Sequence, residues 1–527
     1  MVPDPKDLDL SLKNLRTQTA TVVSGRIAEE IVENFRKALK IAELYRASGY
    51  RESRALIELG FEGRYIEPGA SGALTRGKIE VLPTGRNFYT VDPTSIPTKT
   101  AWEVGVETAK LLLEKTLKEL GRYPESIGQV LWSIDAYKAD GEQLAEILYL
   151  MGVRPVWDPT GRVTGVELIP LGELKRPRVD VVVRISGIVR DTLPNYVYLI
   201  DEGVEKAVVA EEPDEMNYVK KHYLEYLKKL SDQGLEFEKA RELAKARVWA
   251  EPPGAYGAGV NLAIYASAWK DEEDLAKTWI HWGSYAYTRR SYGERAPNTM
   301  VLQLKHVEAV SRHHVSDEHD LTNCCCYFAF QGGFHVTVKD LTGKNPLNLW
   351  IDTRDVYRAD VRSVRDELLR ITYSKLLNPA WVEEMKKHGY RGAYEFMKKL
   401  QNMYGWHATT RLVPDEVWGQ LAKKYVVDMK EWFVENNRFA LEEITRRFLE
   451  MYRRGLWRAP KELLEQIEYV YAEIEALLEG EVGGEAQMSE VWVYTPGDIR
   501  SWAEKMDDVE RALRSVRGGS TGEDRTR

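Results

Sequence analysis

The side chains with the clearest capacity for metal chemistry lie in residues 316–333, SDEHDLTNCCCYFAFQGG. This stretch contains all three cysteines of the chain, in consecutive positions. Imidazole and carboxylate groups surround them at His313, His314, Asp317, Glu318, His319 and Asp320. Borderline divalent ions such as Co²⁺ and Zn²⁺ accept a mixture of nitrogen, oxygen and sulfur ligands. The sequence therefore indicates a metal contact in this stretch.

The spacing of the cysteines argues against a closed structural zinc site. Such sites use pairs such as C-x2-C, in which two sulfurs converge on one ion. Three consecutive cysteines on a strand would point to alternate faces, so that only Cys324 and Cys326 share a face. Two interpretations stay open: small, buried, reduced thiols in a core, or ligands for a metal softer than magnesium.

Two glycine-containing stretches come close to nucleotide-binding motifs. SGALTRGKIE (71–80) has P-loop spacing, but Ile79 stands where a serine or threonine would hold magnesium, and no clear strand leads in. PPGAYGAGV (252–260) lacks the third glycine of a dinucleotide fingerprint, since Leu262 takes its position. We predict no ATP site in the first stretch. The second predicts a structural turn, with close approach of a substrate as the alternative.

Several basic side chains are candidate contacts for an acidic ligand. They lie in predicted loops or at strand ends: Arg86, Lys138, Arg184, Arg190 and Arg354. Any one of them could be an ordinary surface charge. Arg184 differs, because it interrupts the apolar strand VVVRIS and a buried guanidinium needs a carboxylate partner. That partner is either an internal aspartate or an acidic ligand.

Alternating strands and helices position these candidates. Apolar runs predict strands at 129–134, 153–157 and 178–186. Helical periodicity predicts helices over 101–120 and 141–152, and within 195–210. This alternation predicts an α/β fold with a parallel, Rossmann-like sheet. Ligands of such sheets bind outside the carboxyl ends of the strands, here the polar loops 133–142 and 186–195.

Composition along the chain predicts its domain organisation. The predicted order is an N-terminal helical segment (1–60), an extended Gly/Pro-rich segment (61–100), the α/β domain (101–250), a mixed segment with the candidate active site (251–360), a large mostly helical C-terminal domain (361–480) and a tail (481–527). Helices are expected from the glycine-rich turn to about residue 312. The tail is expected to hold a short element at 489–506 and a disordered end at 515–527.

The overall composition argues against several classes of protein function. The chain has 527 residues, of which 43% are hydrophobic and 30% charged, as in ordinary globular proteins. Its net charge of −8 argues against broad nucleic-acid binding. The sequence shows no signal peptide near its start, no apolar run long enough for a membrane span, and no disulfide framework. We expect a cytoplasmic protein.

Motifs along most of the chain resemble those of one protein family. They are EGRYIEPGASGALTRG, VLPTGRNFYTVDPTSIPTKTAWEVG, LWSIDAYKADGE, GVELIPLGELKRPRVDVVVRISGIVRDTLPN, PPGAYGAGV, EHDL, YFAFQGG, LLNPAWVEEMKKHGYRGAYEF and GWHATT. From about residue 55 to 460 they follow the order of the large subunit of the ATP-dependent cobaltochelatases and magnesium chelatases. The cobaltochelatase branch looks nearer. The resemblance covers the C-terminal half of that subunit.

The resemblance implies a function. A chain of this kind would bind a tetrapyrrole, either a corrin or a porphyrin, and insert a divalent metal, with Co²⁺ favoured over Mg²⁺. ATP-Mg would be hydrolysed by a separate AAA+ ATPase that acts with an integrin-like adaptor. Either a separately encoded chain would supply the N-terminal half of the subunit, or the chain is a truncated relative. The alternative is a non-catalytic carrier of tetrapyrrole or metal, derived from the same family.

The resemblance also implies roles for individual residues. Metal insertion needs bases that take two protons from pyrrole nitrogens. The catalytic candidates are Glu318, His319 and Asp320. The metal-binding candidates are His319, Glu318 and Cys326. The substrate-binding candidates are Arg86, Asn87, Lys138, Glu142, Arg184, Arg190, Tyr256, Tyr327, Gln331 and Gly332.

The cysteines are a departure from the family's pattern. Residues 323–326, here Asn-Cys-Cys-Cys, occupy positions where aspartates around a serine are expected in cobaltochelatases. Thiolates favour softer metals than carboxylates do. Either the metal differs, or the acidic positions are not essential, or the chain no longer chelates. We expect replacement of all three cysteines by serine to change metal preference more than stability.

Overall fold

The computed structural model describes residues 5–20, 24–88, 91–316, 318–482 and 506–517. They belong to two compact units, Met1–Asp92 and Pro93–Arg527. A helix, Asp507–Arg517, is the described part of the tail, and the short element and nearly all of the disordered end predicted there lie outside the described residues. No helix in these ranges combines the length and the hydropathy of a membrane span.

The first unit is helical and then extended. Its helices are Pro5–Ala20 and Gly25–Arg54, and the second continues into a π-helical turn, Ala55–Gly60. Short 3-10 turns follow at Leu74–Arg76 and Ile79–Val81. Two parallel two-residue strands, β1 (Pro68–Gly69) and β2 (Asn87–Phe88), are the strands described there. The stretch with P-loop spacing therefore lacks the helix that a P-loop requires after its lysine.

The second unit contains the longer strands. They are β3 (Ser126–Leu131), β4 (Val153–Trp157), β5 (Val163–Leu168), β6 (Asp180–Ile185), β7 (Val248–Ala250), β8 (Tyr285–Tyr287), β9 (Tyr292–Arg295), β10 (Val307–His314), β11 (Leu347–Asp352) and β12 (Asp360–Ser363). Every residue of β3 and of β6 is buried. Continuous apolar strands of this kind are typical of parallel sheets that are covered on both faces.

Eight of these strands form one sheet, in the order β12-β11-β10-β3-β6-β7-β8-β9. The central strands from β11 to β7 run parallel, while β12, β8 and β9 are antiparallel to their neighbours. The chain proceeds from β3 through β6 to β7 on one side, and later adds β10 and β11 on the other side of β3. A topological switch point therefore lies between β3 and β10. The predicted α/β fold with a mostly parallel sheet is confirmed.

Helices connect the strands of the second unit. They are Lys99–Leu120, Ile134–Ala139, Glu142–Leu150, Leu171–Leu174, Gly187–Thr192, Pro194–Val209, Tyr218–Asp232, Phe237–Lys245, Val260–Tyr265, Glu272–Gly283, Pro297–Leu304, Cys325–Tyr327 and Gly333–Thr342. Short 3-10 or π-helical turns lie at Pro93–Ser95, Asp214–Met216 and Phe328–Gly332. Thr98 caps the first helix by accepting a hydrogen bond from the Ala101 backbone N–H, and Gly121 ends it with a φ of 73°.

From Val364 to Val482 the chain is nearly all helical, as predicted. The helices are Val364–Ile371, Pro379–Lys386, Gly389–Thr410, Asp415–Ala422, Lys430–Asn436, Arg438–Arg453 and Lys461–Val482, with π-helical turns at Thr372–Leu376 and Lys423–Asp428. Aromatic side chains of this region, such as Trp406 and Phe448, belong to the same hydrophobic core as Trp350 of β11. This shared core fixes the helical region against the sheet.

Some strands differ from the sequence-based expectation. Residues 285–314 were expected to be mostly helical, but they contain β8, β9 and β10. Although β4 is a strand as predicted, it pairs with β5 in a separate two-stranded sheet. The error at β10 matters most, because β10 lies beside β3 and leads directly into the cysteine stretch. Its sequence, VEAVSRHH, contains four polar or charged side chains that are nevertheless buried.

Candidate functional site

The parallel strands deliver the candidate residues to one edge of the sheet, which we name the carboxyl edge. The segments that leave the strands there are 132–139 after β3, 187–192 after β6, 251–259 after β7, 315–327 after β10 and 353–354 after β11. The opposite edge, where these strands begin, is the amino edge. At the switch point the segments after β3 and β10 meet: Lys138 pairs with Glu318, and Trp132 stacks on Tyr327.

The three cysteines converge at this edge. Cys324 is extended, with φ −137° and ψ 135°, whereas Cys325 begins a short helical turn. This change of conformation turns all three thiols towards one another, and their sulfur atoms lie within 4.8 Å of each other. The expectation that only Cys324 and Cys326 share a face is therefore wrong, because the segment is not a strand. The thiols are free and partly exposed.

Hydrogen bonds to sulfur favour a thiolate in this cluster. The Cys326 backbone N–H donates to Cys324 Sγ at 3.4 Å, and Asn261 Nδ2 donates to Cys325 Sγ at 3.6 Å. Hydrogen bonds from the Cys325 and Cys326 thiols lower the pKa of Cys324. The same interactions raise the pKa of Cys326. These interactions favour ionisation of Cys324 before that of Cys326.

Arg312 of β10 is a buried cation beside this cluster. Its side chain is in the interior, with Cζ 3.7 Å from the Trp132 ring centroid and 4.1 Å from that of Tyr327. Within the described residues it forms no ion pair with a carboxylate, and its Nη1 atom has no hydrogen-bond partner. Burial lowers the pKa of Arg312, while Tyr327 and the thiols of Cys324 and Cys326 act in the opposite direction. The cysteine cluster is therefore its anionic environment.

Glu318 and His319 are the accessible members of the predicted catalytic set. The Glu318 side chain is 58% exposed and forms an ion pair with Lys138, which is 21% exposed. His319 is exposed, and its carbonyl oxygen lies 3.0 Å from His314 Nε2. Both side chains lie in the segment that follows β10, beside the end of β3, and both are accessible to solvent.

Asp320 is held differently. It is buried and forms ion pairs with Lys375 at 2.5 Å and Lys399 at 3.0 Å, and it accepts hydrogen bonds from the Thr322 N–H and hydroxyl. Burial alone would raise the pKa of Asp320, but the charges of Lys399 and Lys375 outweigh it and lower the pKa. A carboxylate that stays ionised in this way is an anchor for the loop rather than a proton acceptor near neutral pH.

One face of a distant helix holds the cysteine stretch in place. Within Gly389–Thr410, Lys399 donates to Asn323 Oδ1 at 2.8 Å, Asn402 to the Thr322 carbonyl at 2.7 Å and Trp406 to the Leu321 carbonyl at 3.0 Å. Spacings of three and four residues place these donors on the same side of the helix. Sequence reasoning missed all three, since nothing local links them to residues 321–323.

The two histidines of β10 are engaged internally. His313 Nε2 lies 2.9 Å from Glu146 Oε2, and both side chains are buried. Burial lowers the pKa of His313, but Glu146 outweighs this effect and raises it. Burial and the charge of Arg354 lower the pKa of His314, which therefore stays neutral. Neither residue contributes to a cluster of metal ligands among the described residues.

The predicted metal set of Glu318, His319 and Cys326 is not brought together. In the described ranges, two sets of three ligand-type side chains place their ligand atoms within 4.8 Å of each other. One set is the cysteine cluster, and the other is Glu125, His222 and His306 at the amino edge. Glu318 is drawn to Lys138 and the His319 side chain is exposed, so Cys326 finds its neighbours in the other cysteines instead.

The predicted arginines are mostly neutralised within the protein. Arg184 is buried and pairs with Glu251 at 2.7 Å, so its partner is an internal carboxylate, a glutamate rather than the expected aspartate. Arg190 lies on the helix Gly187–Thr192 and pairs with Asp191 at 2.6 Å. The exposed Tyr256 donates to the same Asp191 carboxylate at 2.7 Å. Of this group, Tyr256 is the side chain open to a ligand.

Four further predicted substrate contacts are interior residues. Gln331 donates to Asn348 Oδ1 at 2.8 Å and to the Leu349 carbonyl at 2.9 Å, which ties it to β11. A Cβ at Gly332 would overlap Thr409 Oγ1, so this glycine allows a close helix contact. Glu142 is buried in the first turn of its helix, and Tyr327 is 5% exposed. These four residues are buried and support the site, and they do not line its accessible surface.

The remaining candidates lie in other environments. Arg86 and Asn87 belong to the first unit, where Arg86 donates to the Glu80 carbonyl at 3.0 Å and Asn87 to the Ile66 carbonyl at 3.3 Å. Arg354 pairs with Asp352 at 2.6 Å. In the glycine-rich turn after β7, Gly259 has a φ of 76°, and a Cβ there would overlap the Trp282 ring. This position requires glycine, as a structural turn predicts.

Two central residues of the site were not predicted from the sequence. Arg312 and Trp132 stack at the switch point, where Arg312 is a buried strand arginine like Arg184 of β6. The interruption of a strand by arginine is the signal that could have identified it, had β10 been recognised as a strand.

Comparison with known proteins adds an independent observation. Residues 9–464 match the family model described as CobN/Magnesium Chelatase. An uncharacterised protein of Methanocaldococcus jannaschii is 41% identical over 504 residues, which cover 95% of this chain and 40% of that protein. The aerobic cobaltochelatase subunit CobN of Pseudomonas aeruginosa is 35% identical over 439 residues, which cover 83% of this chain and 35% of that subunit.

Similarity extends to a solved structure. The catalytic subunit of cobaltochelatase from Mycobacterium tuberculosis matches with a TM-score of 0.76 and 32% identity, over 90% of this chain and 44% of that chain. The chain thus spans less than half the length of the relatives that it matches. The similarity to the solved structure includes both the sheet and the helical region of this chain.

Proposed function

The chain belongs to the CobN/magnesium chelatase family, and we propose that it binds a tetrapyrrole and takes part in inserting a divalent metal into it. The activity is a proposal for this chain because it spans less than half of its relatives. A metal-free corrin or porphyrin offers two flat apolar faces and an acidic rim. A site for it needs aromatic surface, basic groups at the rim and bases for two pyrrole protons.

The observation that carries the proposal is the meeting of the segments after β3 and β10 at the switch point, where Lys138 pairs with Glu318 and Trp132 stacks on Tyr327. Open α/β sheets bind their ligands at such a point. There the partly exposed Trp132 offers aromatic surface, Lys138 offers a cation, and Glu318 and His319 offer two accessible bases. These are the groups that the chemistry requires, and they come from two strands that are adjacent only in the folded sheet.

The Lys138–Glu318 pair supplies a way to couple binding to proton removal. A carboxylate on the rim of the tetrapyrrole would compete with Glu318 for Lys138. Glu318 would then be released and could accept a pyrrole proton, with His319 as the second acceptor. In this proposal Asp320 is a positioning residue, since its ion pairs with Lys375 and Lys399 hold the loop that carries both bases.

Cobalt is the metal that the donor set favours, with Mg²⁺ as the alternative. The thiols at 324–326 suit a borderline metal better than a hard one. ATP-Mg would be used by a partner, because the P-loop-like stretch at 71–80 lacks both the metal-holding hydroxyl and the following helix. The partners proposed are an AAA+ ATPase, an integrin-like adaptor and a polypeptide that supplies the part of the relatives' length that this sequence does not span.

Titration of the purified chain with a metal-free porphyrin or corrin tests the binding step. We expect a saturable shift of the Soret absorbance. In Lys138→Met the affinity should fall by about tenfold or more, since a charge-assisted hydrogen bond is lost. Lys221→Met is the matched control, because Lys221 also pairs with a glutamate, Glu125 at 2.8 Å, but at the amino edge. Absence of binding, alone and with the partner chain, contradicts the proposal.

A carrier without catalysis is the second candidate. It is favoured by the cysteines at 324–326, which stand where the family resemblance implies acidic residues, and by the partial coverage of the relatives' length. Cobalt insertion, assayed with the cognate ATPase and followed by the change in tetrapyrrole absorbance, separates the two candidates. ATP-dependent turnover excludes the carrier, and binding without turnover in the complete assembly excludes the chelatase.

A further inference from the structure

The cysteine cluster has the geometry of a metal-ligand set. Its three sulfur atoms lie within 4.8 Å of one another. An ion with metal–sulfur bonds of about 2.3 Å in tetrahedral geometry would hold its sulfurs about 3.8 Å apart. Small side-chain rotations therefore suffice to close the three thiols on one ion, and the partial exposure of all three leaves an approach from solvent.

Charge balance points to the same conclusion. Three thiolates and one divalent ion carry a net charge of −1, and a buried anion of this kind needs a counter-charge. Arg312 supplies one: it is 3% exposed, it stands beside the cluster, and it has no carboxylate partner among the described residues. A buried guanidinium without an acid is itself unfavourable. Metal binding at the cysteines would neutralise both charges together.

Hydrogen bonds to the sulfur atoms complete the environment. Asn261 and the Cys326 N–H donate to two of the three sulfurs, and such donors orient ligands and tune metal sites. Among the described residues the cluster includes sulfur atoms and no carboxylate, whereas Mg²⁺ is bound through oxygen ligands. The donor set is therefore selective for a softer ion.

We propose that Cys324, Cys325 and Cys326 form a three-thiolate site for one borderline or soft metal ion, such as Co²⁺, Ni²⁺ or Zn²⁺, with a fourth position open to water or a further ligand. Binding releases one proton from each thiol that is protonated beforehand. The role of this site in loading the metal that is to be inserted rests on the proposed function. As a binding site it requires neither tetrapyrrole nor ATP.

Titration with Co²⁺ under anaerobic conditions tests the site directly. Thiolate ligands give Co²⁺ an intense charge-transfer absorption in the near ultraviolet, and a tetrahedral site gives strong visible bands. We expect both, with a stoichiometry of one ion per chain and no competition from excess Mg²⁺. Because the chain has three cysteines in total, thiolate bands can only arise from this cluster.

Four variants sharpen the test. Cys324→Ser/Cys325→Ser/Cys326→Ser should lose the charge-transfer band, with circular dichroism showing that the fold persists. His306→Gln, which disrupts the second ligand set at the amino edge, should leave the band unchanged. Arg312→Gln should weaken Co²⁺ binding by about tenfold or more, as loss of an outer-shell partner does. Lys221→Met serves as its matched control for the loss of a cation.

Several results would overturn the proposal. They are the absence of a charge-transfer band, a band that survives in the triple serine variant, or loss of Co²⁺ binding in His306→Gln alone. A porphyrin titration in parallel distinguishes the two proposals. Soret binding without Co²⁺ binding refutes the thiolate site and leaves the proposed function standing, whereas Co²⁺ binding without Soret binding does the reverse.

Discussion

Arg247 and Arg312 occupy opposite edges of the same sheet, and both guanidinium groups are buried. At the amino edge, Arg247 pairs with Asp180 at 2.7 Å, and the same carboxylate lies 2.9 Å from His222 Nδ1. At the carboxyl edge, Arg312 has aromatic rings and thiols around it but no carboxylate among the described residues. A buried cation that pairs with a carboxylate of the protein has a structural role. A buried cation without such a partner is available for a ligand.

His222 shows the same contrast. Its Nε2 atom lies 3.1 Å from Glu125, so both ring nitrogens face carboxylates. Glu125, His222 and His306 form a set with metal-ligand spacing. However, both ring nitrogens of His222 are already engaged by carboxylates. The cysteine cluster differs, because the interactions of its sulfur atoms in the described residues are hydrogen bonds, such as those from Asn261 and the Cys326 backbone N–H, and none is an ion pair with a carboxylate. The amino edge is therefore the structural counterpart of the binding edge.

The largest effect is expected from Asp180→Asn. Removal of this charge leaves Arg247 buried without its acid and takes away one of the two carboxylates that face His222, which costs about 3–5 kcal/mol of unfolding free energy. Urea denaturation followed by circular dichroism measures the change. Co²⁺ binding by the folded fraction should be unaffected. A destabilisation below 1 kcal/mol would remove the distinction between the two edges.

A smaller effect on stability is expected from Arg312→Met. The variant loses cation–π contacts with Trp132 and Tyr327 worth up to about 2 kcal/mol, but it also removes a buried charge without an acid. The net change in unfolding free energy should stay below about 2 kcal/mol. Denaturation in parallel with Asp180→Asn checks the order. If Arg312→Met is the more destabilising of the two, Arg312 is a structural cation.

The pH dependence of stability should reflect the amino edge. Burial would lower the pKa of His222, but Asp180 and Glu125 outweigh it and raise the pKa above 6.5. The hydrogen bond with His222, and then Lys221, lowers the pKa of Glu125 to about 2. The His222 contribution is thus complete below pH 6.5 and is lost as pH rises through the folded pKa, while that of Glu125 is complete above pH 4.5 and is lost as pH falls.

Thermal unfolding of His222→Gln across this range tests the assignment. The variant should lose the decline in melting temperature that the parent shows on the alkaline side of pH 6.5. His388→Gln is the control, since His388 is exposed. An unchanged pH profile in His222→Gln would mean that the imidazole is neutral in the folded protein.

The smallest change in stability is expected from Lys138→Met at the carboxyl edge. Its partner Glu318 is 58% exposed, and ion pairs of this kind contribute about 0–1 kcal/mol. The unfolding free energy should therefore hardly change, even though tetrapyrrole affinity falls. A loss above 2 kcal/mol would show that Lys138 is part of the structure, as Arg247 is.

Much of the fold follows from the sequence because its signals are local. The apolar runs of β3 and β6 and the helical periodicity of Lys99–Leu120 each identify an element without reference to the rest of the chain. In β10 the signal is not local. Arg312, His313 and Glu308 are compatible with a strand only because distant residues accommodate them, for example Glu146 at His313 and Arg122 at Glu308.

The candidate site shows the same limit. The resemblance located Glu318 and His319 in the stretch that lies at the switch point. It could not reveal that the thiols converge, because the change from extended to helical backbone at Cys324 depends on a loop held by Lys399, Asn402 and Trp406. Those donors come from a helix about 80 residues further along the chain.

The adjacency of β3 and β10 has a consequence for how the protein is made. Lys138 and Glu318 meet although 180 positions separate them in the chain, and Gln129 of β3 aligns with Ser311 of β10. Contacts between such remote partners form late, because a long loop must close first. A chain emerging from the ribosome therefore exposes its three thiols before β10 has docked. At the proposed three-thiolate site, metal binding in the final geometry would therefore require that β10 has docked.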